Sequence, residues 1–233
     1  MQLPLVQQEK KWYDIPKGGA IMKDIPVFTT EYGVASLTLR EIPYRKRAYI
    51  KIQSTCEPDK LLEECVSFCR ACGAEWISAA GDSYLEQYPL ITEMWLMTCN
   101  REVIGETDAC LFPMTEETVE GWLQLYNQRM AHVPNAAYLD SKDGKEFLKN
   151  GDCYFVHRNG KLLGVGKAAE DYIDIVIAAE PGMGQTVVQA LCSVLTEDVV
   201  RVVVAGANER AVRLYQRMGF LAVNVTDKWF RIL

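Results

Sequence analysis

The chain is 233 residues long, with 49% hydrophobic and 24% charged residues, a formal net charge of −6 and an isoelectric point near 5.1. That length accommodates one large domain or two small ones, with ample material for a buried core. The acidic balance argues against a general binder of nucleic acid or anionic membrane, since both need a basic face, and suits a cationic or neutral partner.

After a polar N-terminal segment, "VASLTL" (34–39) and "AYIKIQ" (48–53) read as strands joined through the basic turn "REIPYRKR" (40–47). In "PDKLLEECVSFCRAC" the apolar residues Leu61, Leu62, Cys65, Phe68, Cys69 and Cys72 follow helical spacing, and Gly73 stops the run. "EWISAA" (75–80) and "LITEMWLMTC" (90–99) are strand-like, with "GDSYLEQYP" between them as a turn or short helix. The pattern restarts around residues 105–115. "TEETVEGWLQLYNQRM" predicts a helix capped by Thr115, with an acidic first turn. "SKDGKEFLKNG" predicts a second. "CYFVHRNGKLLGVGKAA" predicts a hairpin turning at Asn159-Gly160.

"YIDIVIAA" (172–179) is a continuous apolar run, as expected for a strand covered on both faces. "PGMG" leads into the helix "QTVVQALCSVL", followed by the strand "VRVVVAGA", the helix "NERAVRLYQRM" and the strands "FLAVNV" and "KWFRIL". The first half, read as hairpin, helix, strand, is a shortened echo of the second.

Two features carry chemistry. In "AEPGMGQTVV", Gly182 and Gly184 stand at a helix start, where the first amides lack internal partners and a pyrophosphate fits. No lysine follows the last glycine, so this is not a Walker loop. In "NERAVRLYQRMGF", Asn208 is a good N-cap, Ala211, Leu214, Tyr215 and Met218 form one face, and Gly219 can close the helix with Phe220 packing back.

Asn208, Ala211, Leu214, Tyr215, Gly219 and Phe220 resemble the N-x-x-A-x-x-L-Y-x-x-x-G-F pattern of the GNAT acetyltransferases, and the order of elements over about 113–233 is similar to theirs. Ala179 stands where the family's glycine loop usually begins with Gln or Arg. The resemblance implies an α+β, mixed-sheet GNAT-like fold, with an acetyl-CoA domain at 111–233 and a degenerate, non-catalytic GNAT-like half at 1–110. It implies acetyl-CoA held by Ile175, Val176, Ile177, Gly182, Met183, Gly184, Gln185, Thr186, Asn208 and Ala211. It also implies direct attack by a small-molecule amine or an α-amino group, with Tyr215 as the acid for the leaving thiolate. The base is Glu170, Asp174 or a water. The alternative is a catalytically silent acyl-CoA-binding or interaction module.

The remaining expectations are a cytoplasmic chain with no metal, no nucleic-acid partner and no membrane partner, with a homodimer among the assemblies it allows. "MQLPLVQQEKKW" lacks the charged start and apolar core of a secretory leader. The eight cysteines are accordingly expected to be reduced thiols. Cys65, Cys69 and Cys72 have the spacing of a radical-SAM cluster site, but they fall on a helix face and are expected to be core. His132 and His157 are too few and too far apart for a metal site or triad.

Overall fold

The computed structural model describes residues 26–133 and 136–233, so the first 25 residues of the 1–110 half lie outside it. The strands are β1 (Val27–Thr30), β2 (Gly33–Thr38), β3 (Arg47–Thr55), β4 (Trp76–Ala80), β5 (Leu90–Asn100), β6 (Cys110–Pro113), β7 (Cys153–Arg158), β8 (Lys161–Ala169), β9 (Tyr172–Ala178), β10 (Val199–Ala205) and β11 (Leu221–Arg231). The helices are α1 (Ile42–Arg45), α2 (Pro58–Ala71), α3 (Arg101–Ile104), α4 (Val119–Met130), α5 (Ser141–Asn150), α6 (Gly184–Cys192) and α7 (Glu209–Arg217), with a 3-10 turn at Ser83–Gln87. All the strands join one mixed sheet in the order β1-β2-β3-β4-β11-β5-β10-β9-β8-β7-β6.

That order contains the echo as a topological repeat. In each half an antiparallel pair is followed by a helix and a parallel strand: β2-β3-α2-β4 and β8-β9-α6-β10. The strand that comes next in each half then crosses over. β5 pairs with β10 along Val199–Ala205. β11 lies against β5 and ends on β4, at Phe230↔Ala79 and Arg231↔Ser78. The cores are shared accordingly: Phe230 packs with Leu37, Ile50, Leu61 and Ile77, while Met97 and Cys99 of β5 pack with Val188, Leu191, Val202 and Phe220.

Local chemistry explains the elements around the site. Asn159 and Gly160 both take positive φ, which a two-residue hairpin turn with the native strand twist requires. α5 starts with a capping box from Asp140 and Asp143 and ends on the left-handed Gly151. Gly164 and Gly166 let α6 press onto β8. A Cβ at Gly164 would meet the Ile177 carbonyl oxygen at 2.1 Å, and one at Gly166 would meet Leu191 Cδ1 at 2.3 Å.

Several expectations change. "REIPYRKR" is not a plain turn, because it contains α1, with Pro43 in the first turn, where its missing N–H costs nothing. Thr115 is not the cap of α4. That helix begins at Val119 with Thr118 as N-cap, and Thr118 Oγ1 accepts the Thr115 N–H at 2.9 Å. "FLAVNV" and "KWFRIL" are one strand, β11, whose register slips three times against β5. Bulges, not a turn, absorb its irregular apolar pattern. On α2 only Leu61, Leu62, Cys65 and Cys69 are buried; Phe68 is exposed and leans on Phe28 of β1, which was not anticipated. Cys72 is exposed too, so the three cysteines do not share one environment. Burial pushes the Cys65 thiol up to about 12 and Cys69 up to about 11. Among the described residues, no helix is long and apolar enough to cross a membrane.

The strand exchange yields a test. A fragment spanning 106–233 lacks β5, which separates β10 from β11, so it should show no cooperative thermal transition. Coexpression with 26–105 should restore one. A fragment that melts sharply on its own would contradict this.

Candidate functional site

β9 and β10 are parallel neighbours that stay paired only at Tyr172↔Arg201 and Ile173↔Val202. Beyond these positions they diverge. The corresponding strands of the first half, β3 and β4, remain paired over five positions from Arg47↔Trp76 to Lys51↔Ala80. The divergence frees one edge of β9 and opens a cavity of about 360 Å³. It also explains why the apolar run of β9 is not covered throughout: Ile173 and Ile177 are buried, while Ile175 and Val176 are half-buried and line the opening.

Ile175, Val176 and Ile177 form one wall of this cavity, Val203, Val204 and Ala205 of β10 another, and Asn208, Ala211 and Tyr215 of the α7 region close the end. Asn208 Oδ1 accepts the Ala211 N–H at 3.3 Å, which fixes the helix start against the cavity. Tyr215 packs on Phe220 with ring centroids 5.3 Å apart. Burial, with a smaller contribution from Cys192, holds its phenol above the usual value of 10.0, so it carries its proton at neutral pH.

The loop after β9 lies past the open end. Gly182 has φ +93, and nothing stands within 4 Å of where a Cβ would project. Met183, Gly184, Gln185 and Thr186 follow at the start of α6, whose first amides have no intrahelical acceptor. Gly184 faces inward, since a Cβ there would meet Leu214 Cδ2 at 2.8 Å. Its role is helix packing, and a valine there would disturb the core as well as the loop. The Ala179 position, which brings no side-chain charge of its own, receives one from elsewhere: Arg129 of α4 donates to the Ala179 carbonyl.

Glu170 is not brought to the cavity. It occupies the β8–β9 turn with φ 57, is exposed, and lies at the paired end of β9, away from the divergence. Its carbonyl accepts the Thr196 N–H at 2.8 Å, a structural use of the backbone alone. Asp174 does line the cavity. Its Oδ2 is held by Lys167, whose Nζ also lies 3.2 Å from Asp152 Oδ2. Burial raises the Asp174 carboxyl, against the opposing pull of Lys167. Lys167 itself is only 5% exposed. Burial pulls its pKa down, but the two carboxylates more than offset this and the net shift is upward.

Sequence reasoning does not single out Lys167, which lies on β8. The available signal was a lysine inside an otherwise apolar strand, since such a charge needs a partner when buried. Tyr126, Met130, Leu139 and Phe147 also line the cavity. Their spacing marks them only as buried helix or loop positions.

No family model and no curated protein sequence matches the chain. Solved structures do. A GCN5-related N-acetyltransferase from Kribbella flavida superposes with a TM-score of 0.55 at 9% identity, over 88% of this chain and 58% of that one. The chain has the GNAT fold. A functionally unknown conserved protein from Staphylococcus epidermidis ATCC 12228 superposes with a TM-score of 0.58 at 13% identity, over 89% of this chain and 93% of that one. The likeness thus extends through both halves of this GNAT-fold chain and is not confined to 113–233.

Two predictions follow from the buried charges. Lys167→Met would leave Asp152 and Asp174 uncompensated, and should cost roughly 3–5 kcal/mol in denaturant unfolding at pH 7. A cost below about 1 kcal/mol would mean that the pair contributes little. Lys167, Tyr126, Tyr172 and Tyr215 all have pKa values raised above the ordinary 10.5 or 10.0. Each keeps its proton in the folded chain at a pH where the unfolded chain has lost it, so the stability it provides is lost as pH rises above about 10. Melting temperature should therefore vary little between pH 7 and 9 from these groups and fall steeply above about pH 10. An unchanged melting temperature at pH 11 would refute this reading.

Proposed function

We propose that the protein is an acyl-CoA-dependent N-acyltransferase acting on an amine. The observation that carries this reading is the divergence of β9 and β10, which sets a free strand edge, a buried phenol and a half-buried carboxylate around one cavity. Acetyl-CoA, when bound, supplies an activated acyl carbon and a thiolate leaving group.

The residues present fit such a co-substrate. The free edge of β9 at 175–177 presents backbone N–H and C=O groups of the kind that pair with an extended amide chain and polarise a carbonyl. The open space at Gly182 and the first amides of α6, including Gln185 and Thr186, suit a diphosphate. Tyr215 holds a proton at the closed end, which supports a general-acid role. Asp174, with one oxygen engaged by Lys167, has its second oxygen for the ammonium of the acceptor and is better placed than Glu170 to take a proton, directly or through water. Lys167, Asp152 and Asp174 together carry a net charge of −1, which favours a cationic acceptor. The apolar lining from Tyr126, Met130, Leu139 and Phe147 favours one with an apolar body.

Thiol release from acetyl-CoA with a panel of amines tests the reading. Tyr215→Phe keeps the ring and removes its proton, so it should bind acetyl-CoA with unchanged affinity and lose about 10²–10⁴ in kcat. A single-turnover rate equal to wild type would remove the acid role. Binding without turnover in the wild type would instead identify a silent acyl-CoA-binding module. Gln185→Glu places a carboxylate in the first turn of α6, where it complements the helix but repels a diphosphate. It should weaken acetyl-CoA by about tenfold or more in calorimetry without lowering the melting temperature. Equal affinity would place the diphosphate elsewhere.

A further inference from the structure

The wall of the cavity opposite β9 is formed in part by Ala136, Ala137 and Leu139, in a stretch with no helix or strand of its own. On one side it is held by α4: Asn127 Nδ2 donates to the Leu139 carbonyl at 2.7 Å, and Asn127 Oδ1 accepts the Leu139 N–H at 2.9 Å. On the other side, among the described residues, it is held from the first half. Arg40 donates to both carboxylate oxygens of Asp143 and, at 2.8 Å, to the Tyr138 carbonyl. Glu41 Oε1 accepts the Tyr138 N–H. Arg45 donates to the Ala136 carbonyl at 2.7 Å. The Tyr44 ring stacks on Tyr138 with centroids 4.1 Å apart.

This cluster is costly to bury. Glu41 is 1% exposed and Asp143 is fully buried. Glu41 Oε2 has no hydrogen-bond partner among the described residues, and the Arg45 guanidinium lies 3.7 Å away. Two arginines and two carboxylates balance in charge, so the cluster is closed on itself and leaves no net charge for a ligand. Its contacts fall on the backbone of 136 and 138 and on the cap of α5. The Tyr138 ring is engaged by Tyr44, whereas Ala136, Ala137 and Leu139 line the cavity while the main chain beside them is fixed. Buried ionic clusters of this kind add little net stability, so the part of this one that bears on the site is the backbone it holds.

We propose that the first half is the specificity frame of the site: Arg40, Glu41, Tyr44 and Arg45 are positioning residues that set the acceptor wall at 136–139. The selectivity part of this inference rests on the acyl-transfer reading, whereas the positioning part does not. The β3–β4 pair of the first half stays closed, so this half has no corresponding gap of its own; it reaches the site through this wall and through Met94 of β5.

Arg45→Met removes the bond to Ala136, and Tyr44→Ala removes only the stacking ring, which is 51% exposed and safe for folding. Three measurements are made on the full chain. In hydrogen–deuterium exchange, both variants should speed exchange at 136–140 by about tenfold, with β9 and α6 unchanged. Unchanged exchange at 136–140 in both variants overturns the positioning role, whatever the activity. Acetyl-CoA affinity by calorimetry should stay within about twofold of wild type, and a parallel loss of it would mean general damage and overturn the specificity frame. With benzylamine, spermidine and glycine methyl ester as acceptors, the ratios of kcat/KM among them should shift by about fivefold or more. Constant ratios in an active variant overturn the specificity role. A wild type that binds no acetyl-CoA and acylates none of the three sinks the acyl-transfer reading and the selectivity role with it, leaving the exchange result to decide the positioning role.

Discussion

Beyond Ile173 and Val202, the two central strands of the second half share no registered pairs, and the site is built around that interruption. A parallel pair that parts leaves backbone groups without partners, and these must be satisfied by something else. Here the divergence is supported from both sides. α6 presses onto β8 and β9 through Gly164 and Gly166, drawing β9 toward its own half. β5 pairs with β10 along its whole length and holds that strand in the opposite direction. The helix that follows β10 then places Asn208, Ala211 and Tyr215 at the closed end. Without the divergence, β9 would be an ordinary covered strand and Tyr215 would line no cavity.

The exchange of β5 and β11 is what makes this arrangement possible. Each strand completes a sheet begun by the other half, and each carries side chains into the other half's core, as Phe230 and Met97 do. The result is a repeat in which the equivalent pairs β3–β4 and β9–β10 have different fates. The first stays zipped over five positions and the second parts after two. The first half thus shares the topology of the second without its gap. Besides β5, it is linked to the site by the ionic cluster at residues 40–45, which reaches across to the wall at 136–139.

The charges inside the second half follow a similar logic. A lysine on β8 and an aspartate on β9 occupy facing strands, and a second aspartate just before β7 completes the group. Burial raises the Asp174 carboxyl and pulls the Lys167 ammonium down, and the attraction between the two opposes both shifts. Lys167 and Asp174 both line the cavity, so the same group that solves a folding problem also gives the largely apolar lining its charged side chains.

Local chemistry made much of the chain legible. Asn159-Gly160 dictates a tight hairpin turn because both residues tolerate positive φ. Glycines 182 and 219 mark a loop and a helix end for the same reason. The 3.6-residue spacing in 208–220 identifies a helix whose buried face includes Tyr215, and the order of strands and helices in the second half follows from their periodicity. Strand neighbours do not. An alternating or continuous apolar run fits equally well beside any partner, so nothing in "LITEMWLMTC" says that it will lie between strands begun about a hundred residues later. Glu170 looked well placed along the chain but sits at the paired end of its strand, because which end of β9 parts from β10 is a property of the two strands together and not of either sequence alone. Lys167, Arg40, Glu41 and Arg45 are unremarkable as sequence, since a charge gains meaning only from what is buried beside it. The sequence by itself determined the segments, their turns and the helix that carries Tyr215. Only the tertiary structure decided which strands meet, where two of them part and which charges are enclosed, because those depend on contacts between residues far apart in the chain.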